Sequence, residues 1–385
     1  MKKVLVIHNQ YQNLGGEDIA IKNEIKVLKE NFEVKEFFST NNTKINFKLL
    51  KIFFSLKNKE IDNKLELVLK EFKPDLVFVH NTWFYISLGI FDVLSKNNIK
   101  TVLKLHNFRY FCSSFIFSKN HKTQNNLCEA CGFNKKNHWF FNRYFKESLI
   151  KSLLVIWYGK KYIKILKNNN IKILVLTNFH KNFIAKFISG KSNLEVMPNL
   201  ILENKFQQPN SNINDNYIVY AGRISSEKGV EQLIKTFLEC DFKKLKLKIL
   251  GSGPKLEEYT KKFRDENIEF EGLKSNNEVL HIISNSKAVV TATKLYEGQP
   301  TLLCEASNLG IASIFPESGG ISEFFPKNYK YSFTPGNYED LKEKLLLIIQ
   351  DDEQLKTQGA KNKQFITEYL NKEKVFLAYE KIING

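Results

Sequence analysis

Short apolar runs, each closing on a small or polar loop and followed by an amphipathic stretch, recur along this chain and constrain its fold more than any other feature. Lys3-Val-Leu-Val-Ile7 leads into a loop with Gly15-Gly16-Glu17-Asp18 and then into the amphipathic stretch Ile19 to Lys29. Phe32 to Phe38 reads as a second strand, and Pro74-Asp75-Leu-Val-Phe-Val79 as a third that ends at His80-Asn81-Thr82. Lys100 to Leu105 ends at His106-Asn107, and Ile171 to Leu176 ends at Thr177-Asn178. Strands of this kind, buried on both faces and alternating with helices, predict a doubly wound parallel sheet.

After a polar linker, Asn204 to Asn216, the pattern restarts. Tyr217-Ile-Val-Tyr-Ala221 precedes Gly222-Arg223 and a helix from about Gly229; Leu245 to Leu250 precedes Gly251-Ser252-Gly253-Pro254. Ile268 to Phe270, Ala288 to Ala292 and Ile311 to Phe315 continue the series before Gly319-Gly320. The expected fold class is therefore α/β with two doubly wound Rossmann-like domains. The expected boundaries are 1–200 with a basic, aromatic insertion at about 107–170, then 201–363, and a helical segment 364–385 that returns to the first domain. A length of 385 residues suits two such cores.

Charge divides the halves. Residues 1–200 hold 33 basic and 15 acidic side chains, whereas 201–385 hold 25 and 26. Within 101–200 the count is 17 against 3. From Lys135 to Lys167 nine Lys or Arg accompany one acid, Glu147, and Trp139, Phe140, Phe141, Tyr144, Phe145, Trp157, Tyr158 and Tyr162 interleave them. Such a segment fits an anionic membrane surface, and equally a core helix with a solvated basic face. No nucleic-acid-binding motif accompanies it. The longest apolar run, Leu153 to Tyr158, is far short of a membrane span, and Met1-Lys2-Lys3 with Val4 to Ile7 makes no secretory leader. Five cysteines form no disulfide framework, so the expectation is a cytoplasmic protein peripheral to the inner face of the cell membrane.

Two tracts carry chemistry. In Tyr296-Glu297-Gly298-Gln299-Pro300-Thr301-Leu302-Leu303-Cys304-Glu305, Pro300 is expected at the first helical position. The free N–H groups of Thr301, Leu302 and Leu303 would then face a phosphate. Glu297 before the helix and Glu305 one turn into it could each take sugar hydroxyls. Alone, the stretch also reads as a capped helix with two surface glutamates. In Gly222-Arg223-Ile-Ser-Ser-Glu-Lys228-Gly229, a guanidinium fork and an ammonium point charge could clamp a diphosphate. A solvated basic turn is the other reading. Gly251-Ser-Gly-Pro254 raises an NAD-dependent oxidoreductase as a rival, but it lacks the third glycine of that fingerprint and a suitably spaced ribose acid. A non-catalytic, membrane-associated sugar-binding protein is a second rival.

Taken in order, Tyr220-Ala-Gly-Arg-Ile-Ser-Ser-Glu-Lys-Gly229, Leu250-Gly-Ser-Gly-Pro254, the Glu297/Glu305 pair and Gly319-Gly320-Ile321-Ser322-Glu323 resemble retaining GT-B glycosyltransferases. The family is glycosyltransferase family 4, the glycosyl transferases group 1, and the resemblance covers essentially the whole chain. His8-Asn9-Gln10-Tyr11 with Gly15-Gly16-Glu17-Asp18 resembles a bacterial subset with a "GGED" loop. The resemblance implies that Arg223 and Lys228 bind the donor diphosphate and stabilise the leaving group. It implies that Glu305 holds the ribose, and that Glu297 with the Gly298 and Gln299 backbone holds the transferred sugar. His106 would face that sugar from the first domain. Gly15 and Gly16 would let the first loop approach, and Asn199 would lie where the chain crosses between domains.

The donor would be a nucleotide-diphosphate sugar, UDP-sugar first and GDP-sugar second. The acceptor would be a lipid-linked or lipid-embedded saccharide of a bacterial surface glycan. No Asp-X-Asp occurs, so the two cations would take a metal's part and no cofactor would be required for catalysis. Cys112, Cys128 and Cys131 are similar to the four-cysteine insertion of the same subset. The fourth cysteine is absent, Tyr144 standing near its place, and His121 or His138 could complete a structural zinc site. Free thiols are the alternative.

Overall fold

The computed structural model describes residues 1–10, 15–41, 51–52, 54–111, 113, 127–132, 136–137, 142–145, 148–188, 193–201 and 216–385. By their contacts they form two units: Met1–Leu200 with Lys372–Gly385, and Ile201–Asn371.

Unit one is built on six parallel strands: β1 (Lys3–Gln10), β2 (Glu33–Thr40), β3 (Leu76–Val79), β4 (Thr101–Leu105), β5 (Ile171–Val175) and β6 (Leu194–Val196). They lie in the order β2-β1-β3-β4-β5-β6. Val4 to Ile7 and Leu76 to Val79 are all fully buried, as unbroken apolar runs in a sheet covered on both faces must be. The covering helices are α1 (Gly16–Leu28), α2 (Lys59–Phe72), α3 (Gly89–Lys96), α4 (Leu149–Leu166) and α5 (Asn178–Ala185). Ser148 and Thr177 cap α4 and α5 by accepting the Lys151 and His180 backbone N–H groups.

Unit two repeats the architecture with β7 (Tyr217–Ala221), β8 (Lys246–Leu250), β9 (Ile268–Gly272), β10 (Ala288–Val290), β11 (Ala312–Pro316) and β12 (Ser332–Phe333). Their order is β9-β8-β7-β10-β11-β12, all parallel. Its helices are α6 (Val230–Glu239), α7 (Leu256–Lys262), α8 (Asn276–Ser284), α9 (Thr301–Asn308), α10 (Tyr338–Gln350) and α11 (Asp352–Tyr369). On α6 the buried stripe Val230, Leu233, Ile234 and Phe237 follows the helical repeat.

The return to unit one begins at Lys372, not at residue 364. Helix α11 stays with unit two because Gly359 lets its backbone ride on Gly310. A Cβ at Gly359 would stand 1.9 Å from the Gly310 carbonyl oxygen. Only α12 (Lys372–Asn384) joins unit one. It buries Val375, Tyr379 and Ile382, and Phe376 stacks on Phe32 at 6.1 Å.

Candidate functional site

In a doubly wound sheet, ligands collect beyond the carboxyl ends of the strands where the order reverses. In unit two that point lies between β7 and β10. The loop after β7 carries Arg223 and Lys228, and the loop after β10 carries Thr293 and Glu297. The two loops meet: Lys228 Nζ donates to Glu297 Oε1 at 2.5 Å, and Thr293 Oγ1 donates to the same oxygen at 3.2 Å. The Lys294 N–H also donates to the Glu227 carbonyl at 3.0 Å. Both members of the ion pair remain about one third exposed, at 31% and 26%. The pair is therefore reachable by a charged ligand that could take over the ammonium.

Glu297 is further fixed through its backbone. It bridges Gly319, and its carbonyl accepts the Gly320 N–H at 2.7 Å. The Gly319-Gly320 tract thus belongs to the same site. Arg223 is exposed, and its carbonyl accepts the Tyr220 hydroxyl at 2.9 Å. Burial, with Glu297 and Glu227 nearby, pushes the Tyr220 phenol well up and keeps it a donor.

Pro300 is the residue before α9, with φ −80° and ψ 83°, and not its first helical residue. Its ring sets the entry to the helix, and its carbonyl accepts the first helical bond, from Cys304 at 3.0 Å. The N–H groups of Thr301, Leu302 and Leu303 still precede that bond, as in any helix start. Thr301 and Leu302 are half-buried; Gly298, Gln299 and Glu305 are buried. Burial pushes the Glu305 carboxyl up to about 7, against a lowering contact with Asn276.

Gly251 and Gly253 serve packing. Cβ atoms there would stand 2.0 Å from the Gly222 oxygen and 2.3 Å from the Ile224 oxygen. The Ile224 N–H donates to the Ser252 carbonyl at 2.9 Å, so the two loops are laced together. These glycines hold the Arg223 loop in place and do not open a dinucleotide turn.

Unit one has its own constellation beyond β1, β3 and β4. A small concavity, open to solvent, is lined by Glu17, Asn81, His106, Asn107, Tyr110 and Tyr158 among others. Trp83, Tyr110 and Tyr158 pack with ring centroids 4.7–5.0 Å apart, and Tyr158 and Thr82 share a hydroxyl bond of 3.1 Å. Asn9 braces the loop above: its amide donates to the Trp83 carbonyl at 2.8 Å and accepts the Ile86 N–H at 3.1 Å. His106 is half-buried, with Nε2 2.9 Å from His80 Nδ1 and Nδ1 3.5 Å from the Asn199 amide nitrogen. Burial, with His80 and Lys104 adding to it, pushes His106 well below the ordinary imidazole range, so it is neutral at neutral pH.

The glycines of the first loop have ordinary conformations. Gly15 is extended at φ −122° and Gly16 opens α1. Asp18 does more here: its carboxylate accepts the Gly15 N–H at 2.9 Å and faces the buried His8 Nε2 at 2.9 Å. Sequence reasoning named His8 and Asp18 as motif members without a role and His80 only as a strand end, and missed Glu24, Lys104 and Tyr379. The available signal was Lys104, a charge inside a strand buried on both faces.

Cys128 and Cys131 are buried thiols, and the Gly132 N–H donates to the Cys128 carbonyl at 2.8 Å. Cys112, His121 and His138 lie outside the described residues, as does part of the basic insertion, including Lys135 and Lys146. Its longest described element is α4, where Leu149, Ile150, Leu153 and Trp157 are 41–60% exposed. Lys151, Lys160, Lys161 and Lys164 share that exposed side, and the helix contains no acid. No helix among the described residues is long and apolar enough to cross a membrane.

Residues 202–365, nearly all of unit two, match the family described as Glycosyl transferases group 1. The chain is 25% identical over 199 residues to the phosphatidylinositol N-acetylglucosaminyltransferase gpi3 subunit of Schizosaccharomyces pombe, covering 49% of this chain and 43% of that protein. The matches to curated relatives span 43–64% of those proteins' lengths. Among solved structures, sucrose-phosphate synthase from Thermosynechococcus elongatus superposes with a TM-score of 0.75 at 14% identity, over 100% of this chain and 98% of that one. Anabaena HepE in complex with UDP-glucose superposes with a TM-score of 0.70 at 13% identity, over the whole of both chains. The fold is GT-B.

Proposed function

We propose that the chain is a retaining group 1 glycosyltransferase of family 4. It moves a sugar from a nucleotide-diphosphate donor to a lipid-linked or lipid-embedded saccharide during assembly of a bacterial surface glycan. The observation that carries this reading is the meeting of Lys228, Glu297 and the start of α9 at the reversal point of the unit-two sheet. UDP-sugar is the first choice of donor and GDP-sugar the second; the UDP-glucose bound by the structurally similar HepE supports that order.

In this reading Arg223, Lys228 and the first N–H groups of α9 receive the diphosphate. Cleaving the sugar–phosphate bond leaves positive charge at the anomeric carbon and negative charge on the diphosphate, which these fixed groups stabilise. As the diphosphate arrives, Lys228 exchanges Glu297 for phosphate, and the released Glu297 carboxylate accepts hydroxyls of the transferred sugar. Glu305 accepts the ribose hydroxyls. The acceptor hydroxyl attacks the same face that the diphosphate leaves, a departing phosphate oxygen takes its proton, and configuration is retained. The neutral His106 hydrogen-bonds the sugar and does not act as a general acid. The acceptor saccharide would meet the polar groups at the mouth of the unit-one concavity, His106 and Asn107 among them.

The exposed apolar and basic side of α4 supports work at an anionic membrane surface, at the cytoplasmic face. The cysteine pair Cys128 and Cys131 is consistent with either thiols or part of a structural zinc site, and neither enters the reaction.

A donor screen by calorimetry tests the reading, followed by transfer assays with EDTA. UDP or GDP should bind wild type, and transfer should survive chelation. Binding of neither nucleotide, or a strict Mg²⁺ requirement, would refute it.

A further inference from the structure

A chain of buried polar contacts runs from the last helix to His106. Lys104 Nζ, fully buried in the middle of β4, donates to the Tyr379 hydroxyl of α12 at 2.9 Å and to Glu24 Oε2 of α1 at 2.7 Å. The other carboxylate oxygen, Glu24 Oε1, faces His80 Nε2 at 3.4 Å, within ion-pair reach, and neither atom makes a hydrogen bond elsewhere among the described residues. His80 Nδ1 lies 2.9 Å from His106 Nε2. Four elements and five side chains are thus joined: α12, β4, α1 and the two histidines that follow β3 and β4.

The chain has a direction, because two of its members are chemically fixed. Lys104 can only donate, and an ionised Glu24 can only accept. Burial raises the Glu24 carboxyl, but its charged and hydrogen-bonding neighbours, Lys104 first, more than offset this and hold it far below the usual carboxylate range, so it is ionised. A carboxylate opposite His80 Nε2 requires the proton on that nitrogen. In a neutral His80, Nδ1 then carries the lone pair and must accept, so His106 holds its proton on Nε2. His106 Nδ1 is left as an acceptor, with the Asn199 amide at 3.5 Å as its nearby donor.

We propose that Glu24, Lys104 and Tyr379 are positioning residues. Through His80 they lock His106 as a neutral imidazole whose Nδ1 accepts a hydrogen bond from a sugar hydroxyl. The C-terminal helix thereby contributes to a histidine it does not touch. The other ionisable neighbours do not supply the same instruction. His8 packs edge-on to His80 at 6.3 Å and is engaged with Asp18, and Glu17 lies at the rim of the concavity. The claim for the sugar hydroxyl rests on the glycosyl-transfer reading above; the claim for the tautomers does not.

The test is long-range ¹H–¹⁵N spectroscopy on the full chain labelled with [¹⁵N]histidine. There are seven histidines, and His80→Asn and His106→Asn assign the two of interest. Wild type should show His106 as a neutral Nε2–H tautomer at pH 6 and pH 8, and His80 with its proton on Nε2 at pH 8. Glu24→Gln, whose amide can donate as well as accept, should move or mix the tautomers of both rings. Tyr379→Phe keeps the carboxylate and should broaden or shift the signals without reversing them. In transfer assays Glu24→Gln should lower kcat about tenfold, as for one lost or misdirected hydrogen bond, with the donor KM unchanged. Glu24→Asp should recover part of that loss.

If Glu24→Gln folds, binds nucleotide and leaves both tautomers as in wild type, the proposal is overturned. It also fails if His106 in wild type carries its proton on Nδ1. Should Glu24→Gln not fold, Tyr379→Phe decides: a lower melting temperature with unchanged histidine signals marks a structural tether and overturns the proposal. Wild type with the stated tautomers but no sugar transfer from any nucleotide donor would refute the reaction and leave the positioning chain standing.

Discussion

The two units place charge at the same end of similar parallel sheets but treat it in opposite ways. Unit two leaves Arg223 exposed and keeps the Lys228–Glu297 pair within reach of solvent. Unit one buries Lys104 completely and leaves Glu24 only 2% exposed. A charge that must change partners when a ligand arrives cannot be deeply desolvated beforehand, since each exchange would meet the full cost of an unpaired buried ion. A charge whose task is to hold other groups in one arrangement benefits from having no competitor. Exposure in unit two thus suits a docking ion, and burial in unit one suits a frame.

The comparison predicts different consequences for removing a cation on each side. Replacing Arg223 and Lys228 together by Ala should weaken nucleotide binding by roughly a hundredfold or more, since each charge-assisted contact contributes about 1.5–3 kcal/mol. The melting temperature should stay within a degree or two. Calorimetry and a thermal scan on the same sample check both halves. Lys104→Met should do the reverse. It strands a buried carboxylate and should cost about 3–5 kcal/mol of stability, measured by urea unfolding, with nucleotide affinity retained wherever the protein remains folded. Equal losses of binding and stability in both variants would break the distinction.

Proton linkage sharpens it. Glu305 rises from its ordinary 4.5 to about 7 in the folded protein. Between those values the folded chain binds the extra proton, so this group favours the folded state at the acid end and loses that contribution as pH rises towards 7. Ribose hydroxyls donate to the ionised form, so donor affinity should increase from pH 6 to pH 8, by up to about tenfold per unit below the pKa. Glu305→Gln should flatten that profile. In unit one the sign is opposite for His180, which burial lowers to about 3. The unfolded chain protonates first, so stability should fall as pH drops below about 6.5, by at most about 1.4 kcal/mol per unit. His180→Gln should reduce the slope of melting temperature against pH.

The smallest effect concerns α4. Leu153→Glu with Trp157→Glu should reduce sedimentation with phosphatidylglycerol vesicles several-fold and leave nucleotide binding as it was. Joint loss of both would mean damage to the fold instead of a surface effect.

The strand ends were legible in the sequence because buried parallel strands leave unbroken apolar runs that stop abruptly. Arg223, Lys228 and Glu297 stood out as candidates for a related reason: loops after strands are where a doubly wound sheet exposes side chains. Glu305, buried within α9, stood out only by its spacing from Glu297. Glu24 and Tyr379 were not. Each occupies a helical position that reads as an ordinary polar or aromatic residue, and only the tertiary fold brings them to Lys104. Lys104 itself was visible as an anomaly in an otherwise apolar strand, but its partners stand 80 residues before and 275 after it. The register of Pro300 was off by one residue, since proline suits both the cap and the first turn. The α11–α12 boundary was missed because the close approach of Gly359 to Gly310 depends on packing that periodicity does not encode.

The bond between Lys104 and Tyr379 has a temporal side. At about 5–20 residues per second, a ribosome emits the intervening chain in roughly 15–55 seconds. Throughout that interval β4 would exist without the phenol that completes its lysine's surroundings, while every residue of unit two is already being made. Unit one, begun first, is therefore the later of the two to reach its finished state, and the nascent chain spends much of its synthesis with an open seam on its earliest half.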